Sequence, residues 1–124
     1  DANMPLVLIV DDSPTEVHVL QQFLEKNGFE TAAAENGADG IEKARELKPD
    51  LVLMDVVMPG KNGFQATREL SKHPETAGIP VVMVTTKDQE TDRIWGMRQG
   101  AADYLTKPVD ESTLVEKVRA ILGA

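Results

Sequence analysis

Cysteine is absent from the 124 residues, so no disulfide framework, thiolate nucleophile or thiolate-ligated zinc site is available. Basic residues are also few: 13 lysines and arginines stand against 21 acidic residues, for a formal net charge of −8. Such a balance gives no broad electrostatic hold on nucleic acid or on an anionic membrane, and neither partner is expected. Long apolar runs are missing as well, the longest being of about five or six residues against roughly 20 needed to span a bilayer. No charged-then-apolar signal segment opens the chain, and a cytoplasmic location is the expectation.

What is present suits one domain. The sequence is 41% hydrophobic and 27% charged, which is the composition of a globular protein. A chain of this length buries roughly two-thirds of its unfolded surface without needing a covalent staple. Asp1-Ala2-Asn3 precede Met4, which reads as an initiator behind three foreign residues. Residues 1–3 are therefore set aside, and 4–124 are taken as a single domain.

Five short apolar runs alternate with five amphipathic segments: Leu6–Val10, Glu30–Ala34, Leu51–Asp55, Val81–Thr85 and Asp103–Lys107 are the predicted strands. LVLIV, LVLM and VVMV are apolar without alternation, as parallel strands covered on both faces should be. ETAAA is weaker and DYLTK alternates, so these two read as edges. The intervening segments carry helix signals. Ser13-Pro14-Thr15-Glu16 supplies a capping serine, a proline at the first helical position and a glutamate three residues after the cap. Val17, Leu20 and Leu24 then share a stripe that Asn27-Gly28 ends. Pro49 stops the second helix, Asn62-Gly63 opens the third, and Asp88 and Asp110 are the expected caps of the fourth and fifth. The fourth is expected to end at Gly100. Alternating strand and helix imply a flavodoxin-like doubly wound α/β fold, (βα)5, with a five-stranded parallel sheet in the order 2-1-3-4-5. Its switch point lies between strands 1 and 3, where ligands bind beyond the strand C-termini.

That topology brings Asp11 and Asp12, after strand 1, beside Asp55 at the end of strand 3. Three carboxylates in one place must take up protons or hold a cation, and a shallow site with oxygen ligands suits Mg²⁺. Taken alone, Asp11-Asp12 reads as a turn feeding the Ser13 cap, and it is Asp55 at the neighbouring strand end that turns the reading to a cation site. Thr85 and Lys107 end strands 4 and 5 over the same edge of the sheet. A hydroxyl and an ammonium beside a cation and carboxylates can receive a phosphoryl group, with Asp55 as nucleophile.

VDDSP, LMDVVMPGKNG, VTT and DYLTKP, in this order and spacing, resemble the receiver domain of two-component response regulators, the CheY-like family. The resemblance covers essentially all of residues 4–124. It implies that Asp55 accepts a phosphoryl group from a histidine kinase. It implies direct Mg²⁺ ligation, or Mn²⁺ in its place, by Asp12, Asp55 and the backbone carbonyl of Val57, with Asp11 acting through water. Thr85 and Lys107 would contact the phosphoryl group, Tyr104 matches an aromatic that reorients when Thr85 moves, and Lys107-Pro108 matches a common cis peptide. The stretches VDDSPTE, KDQET and WGMRQGAADYLTKPVDE resemble more narrowly the stand-alone PilH-type regulators of chemosensory systems that control twitching by type IV pili. That implies a chemosensory-type kinase, an unidentified downstream protein, and a monomer with dimerisation on activation as the alternative.

Thr86 departs from the family, whose members often carry alanine or glycine there, and its β-branch narrows access to the phosphate. Val57 and Lys87 occupy positions that tune self-dephosphorylation, and an apolar Val57 has nothing with which to orient an attacking water. The expected switch element is the face of helix 4, strand 5 and helix 5, on which Tyr104 by sequence alone reads as a half-buried edge aromatic. Ile94, Trp95 and Met97 cannot share one narrow stripe, so part of this group is expected near the surface. His18 and His73 read as solvated. The leading reading is a switch acting in trans and catalysing only its own phosphorylation chemistry, or a sink or relay for phosphate. An aspartate-nucleophile phosphohydrolase would need a second acid after Asp55, where Val56-Val57 stand, and a flavin module would need a phosphate loop where Asp11-Asp12 repel phosphate.

Overall fold

The computed structural model describes residues 4–123 of the chain, so the three residues set aside above lie outside the described residues. Strands β1 (Leu6–Val10), β2 (Glu30–Ala34), β3 (Leu51–Met54), β4 (Val81–Thr85) and β5 (Asp103–Thr106) alternate with helices α1 (Pro14–Lys26), α2 (Gly37–Leu47), α3 (Gly63–Lys72), α4 (Glu90–Arg98) and α5 (Glu111–Leu122). All pairings are parallel and the order is β2-β1-β3-β4-β5. The period-2 geometry of the strands divides the core in two. Leu8, Val10, Val52, Met54 and Met83 face Ala44 of α2 and Ala66 and Leu70 of α3. Val7, Ile9, Leu53, Val82 and Val84 face Leu20 and Leu24 of α1 and Leu114 and Val118 of α5. The central strands are therefore buried on both sides, which is why they lack alternation.

Helix starts follow local chemistry. Ser13 Oγ accepts from the Glu16 N–H at 3.3 Å, and Asn62 and Gln65 exchange reciprocal bonds of 2.9 Å at the head of α3. Helix α2 ends on Lys48, whose left-handed φ of 47° closes the turn before Pro49. The expectation for α4 needs correcting. Gln89, not Asp88, is its cap, because Asp92 reaches back from the first turn to accept the Gln89 N–H at 3.2 Å. The helix also stops at Arg98, two residues before Gly100, whose φ of +111° carries the chain out of helical geometry. Strands β3 and β5 each end one residue earlier than expected. Their pairing still runs on, with Asp55 N–H bonded to the Val10 carbonyl at 2.9 Å and Lys107 N–H to the Thr85 carbonyl at 2.8 Å. Both side chains are thus anchored by the sheet while projecting past its edge.

Candidate functional site

Asp11 and Asp12 follow β1 and Asp55 follows β3, so all three sit at the crevice where the strand order reverses. Each offers an oxygen within 4.8 Å of the others, the one such acidic group among the described residues. Asp11 and Asp55 are buried, whereas Asp12 is exposed. Asp11 is tightly held: one oxygen accepts from the Ser13 N–H at 2.9 Å, the other from Lys107 Nζ at 2.8 Å. Lys107 Nζ also lies 3.6 Å from Asp55 Oδ2. Asp55 Oδ1 accepts from the Val56 N–H at 2.7 Å.

The electrostatics follow from this packing. Burial, chiefly, lifts Asp55 above the ordinary carboxylate range; the Lys107 charge pulls it down, Asp11 pushes it up, and the Val56 N–H and Thr85 hydroxyl pull it down. Lys107 is lowered by burial, yet its bond to Asp11 and the charges of Asp55, Asp11 and Glu16 hold it above the usual ammonium value. The ammonium therefore stays charged at the point where anionic oxygens would arrive. The three carboxylates form a cluster of oxygen donors only, which fits a hard divalent cation that keeps several waters.

Glycine positions the loop beyond Asp55. The Gly63 N–H donates to the Val56 carbonyl at 2.9 Å, and a Cβ on residue 63 would stand 1.9 Å from the Asp55 carbonyl oxygen. Only glycine lets α3 start so close to the acidic site. Val57 and Thr86 are exposed beside it, as is Lys87.

Thr85 is fully buried and its hydroxyl accepts the Lys87 N–H at 3.3 Å. The carbonyl of Lys87 in turn accepts the Tyr104 hydroxyl at 2.7 Å. The backbone of one residue, Lys87, therefore links the two side chains, its N–H on one side of the Cα and its carbonyl on the other, a connection that spacing in the sequence does not reveal. Tyr104 is not half-buried but only 3% exposed. Gly96 of α4 leaves room for its ring, since a Cβ there would lie 3.1 Å from Tyr104 Cδ2. Burial, with the nearby charges of Asp92, Asp55 and Asp88, pushes the phenol up to about 12. Arg93 ties α4 to the same strand, bonding the Tyr104 carbonyl at 3.1 Å and Asp103 at 3.4 Å. Ile94, Trp95 and Met97 are all exposed on the outside of α4. His18 is exposed; His73 is half-buried and accepts the Glu75 N–H at 3.3 Å within its own turn. The peptide Lys107-Pro108 is cis. Two features escaped the sequence reading: the bridge through the Lys87 backbone, and Glu16, whose carboxylate lies 3.8 Å from Lys107 Nζ. The Ser13-to-Glu16 spacing was legible as a cap, but nothing in it indicated Lys107.

Residues 7–119 match the family model of the response regulator receiver domain. The protein PilH of Pseudomonas aeruginosa is 64% identical over 120 residues, spanning 97% of this chain and 99% of that protein. Longer regulators also match, and the chain spans 25% to 50% of their length. Among solved structures, the chemotaxis protein CheY4 of Vibrio cholerae superposes with a TM-score of 0.89 at 28% identity, over 95% of this chain and 98% of that one. The receiver domain of the sensor histidine kinase PA1611 of P. aeruginosa, with magnesium coordinated in its active-site cleft, gives 0.90 at 26% identity, over 98% and 99%.

Proposed function

The chain belongs to the response regulator receiver family, and from that premise we propose that Asp55 is its phosphoacceptor in a switch that acts on partners in trans. The observation that carries the reading is the convergence of Asp11, Asp12, Asp55 and Lys107 at one sheet edge, with Thr85 at the end of the adjoining strand. In the transfer, an Asp55 oxygen forms a bond to phosphorus as the bond to the donor's histidine nitrogen breaks, the electron pair leaving on the imidazole. Lys107 stabilises charge on the phosphoryl oxygens, and the Thr85 hydroxyl turns from Lys87 to donate to one of them. Asp12, Asp55 and the Val57 carbonyl would hold Mg²⁺, or Mn²⁺, with Asp11 acting through water. When bound, the cation neutralises charge that develops on the transferring group.

Movement of Thr85 withdraws the acceptor from the Lys87 N–H, and the carbonyl of the same residue holds Tyr104. The aromatic then reorients and alters the α4-β5-α5 face, where Ile94, Trp95 and Met97 stand exposed. We assign residues 4–124 to one receiver unit whose donor is a histidine kinase of chemosensory type. Its place in the control of type IV pilus twitching rests on the 64% identity to PilH. Because Val57 presents no polar group to a water, loss of phosphate is unassisted. With Mg²⁺ and no phosphatase the phosphoryl half-life should far exceed a few seconds, and a half-life that short would contradict this assignment. Incubation with Mg²⁺ and a small acyl phosphate, followed by intact mass, tests the acceptor itself: one phosphoryl adduct, lost in Asp55→Asn, is the expected result.

A further inference from the structure

Lys107 has a third acidic neighbour. After Asp11 at 2.8 Å and Asp55 at 3.6 Å, Oε1 of Glu16 lies 3.8 Å from its Nζ. The first two side chains are almost wholly buried, whereas that of Glu16 is 45% exposed and stands at the rim of the site. Its position is fixed by a rigid helix start: Ser13 caps its N–H, and Pro14 occupies the first turn of α1. A glutamate in that turn suits the helix dipole, but so would one facing solvent. An exposed pair at this separation adds little stability, and Lys107 already has Asp11. What Glu16 contributes in particular is charge. When a divalent cation is bound, it and Lys107 balance Asp11, Asp12 and Asp55; Glu16 leaves one negative charge over at the mouth.

We propose that Glu16 is a specificity-determining residue for the phosphoryl donor, its charge disfavouring freely diffusing dianionic phosphates relative to a phosphoryl group on a protonated leaving group that offsets one of its charges and departs neutral, such as a protein histidine with a proton on its other ring nitrogen. The inference rests on Asp55 being the phosphoacceptor. Bond changes are unaltered: the Asp55 oxygen–phosphorus bond forms, and the donor's bond to phosphorus breaks. The electron pair departs on acetate from acetyl phosphate, or on ammonia from phosphoramidate, whose nitrogen already carries its proton. Near neutral pH acetyl phosphate is a dianion and phosphoramidate a net monoanion. A Coulombic gate acts on the logarithm of the rate in proportion to donor charge, so the two donors report it differently.

Phosphorylation rate constants of wild type, Glu16→Gln and Glu16→Asp, measured by intact mass with each donor at saturating Mg²⁺, make the test. At low ionic strength Glu16→Gln should raise the rate about threefold with phosphoramidate and about tenfold, near its square, with acetyl phosphate. The gap should close near 1 M salt, where the screening length falls to about 3 Å. Glu16→Asp keeps the charge and should keep the wild-type donor ratio. Calorimetric titration of Mg²⁺ into unphosphorylated Glu16→Gln should show no gain in affinity, and a gain large enough to account for the faster rates would overturn the proposal. Equal acceleration with both donors, or none, overturns it and leaves Asp55 standing. A wild-type protein that takes a phosphoryl group from neither donor overturns both.

Discussion

Asp55 carries a conflict that its surroundings only partly relieve. Burial lifts its pKa above the ordinary value of 3.8 in spite of the nearby Lys107 charge. A carboxyl raised in the folded state opposes folding when it ionises: stability is full at low pH and declines as pH rises through the folded value. Asp55→Asn should therefore be more stable than wild type at neutral pH in chelator, melting at a higher temperature. The gain should shrink as pH falls toward 4, and melts across pH read it directly. A less stable Asp55→Asn at neutral pH would contradict the assignment of burial as the dominant influence. Tyr104→Phe removes the donor to the Lys87 carbonyl and should cost about 1 kcal/mol in a denaturant titration. At this scale Asp11, Asp12, Asp55, Thr85 and Lys107 were legible because each lies at a strand C-terminus. Burial of Tyr104 was not, since it depends on a glycine eight residues earlier on another element.

Elements were read well where their signals were local. The Ser13, Asn62 and Asp110 caps and the stop at Pro49 each need only a few neighbouring residues, and each is observed. The start of α4 was misplaced by one residue because two acids, Asp88 and Asp92, could supply a cap, and the one inside the helix does so. The strand ends differ for another reason: Asp55 and Lys107 keep a backbone bond to the sheet after the regular strand has ended. The contact between α3 and the loop after Asp55 is where an element meets the site. Gly63→Ala would drive a Cβ into backbone atoms that cannot yield, and should destabilise by more than about 3 kcal/mol. Asn62→Ala removes only the cap and should cost about 1 kcal/mol. Chemical denaturation of the pair separates close approach from capping; equal losses would contradict the steric reading.

For the molecule as a whole, the surplus of acid is partly local. Three of the 21 acidic residues meet at one edge, with a fourth, Glu16, at its rim. Relief of their mutual repulsion should make divalent cations stabilising: Mg²⁺ at about 100 times its dissociation constant should add roughly 2.7 kcal/mol. Thermal melts should show the rise in wild type and a much smaller one in Asp55→Asn. Sheet order was legible because the three central strands are unbroken apolar runs, whereas ETAAA is only weakly apolar and DYLTK alternates, a property of the whole sequence. Among the described residues no helix is long and apolar enough to cross a membrane. The most direct test of the central claim is the intact mass of wild type and Asp55→Asn after incubation with Mg²⁺ and acetyl phosphate. One phosphoryl group on wild type and none on the variant is the predicted result. An unmodified wild type, or an adduct that persists in Asp55→Asn, would contradict it.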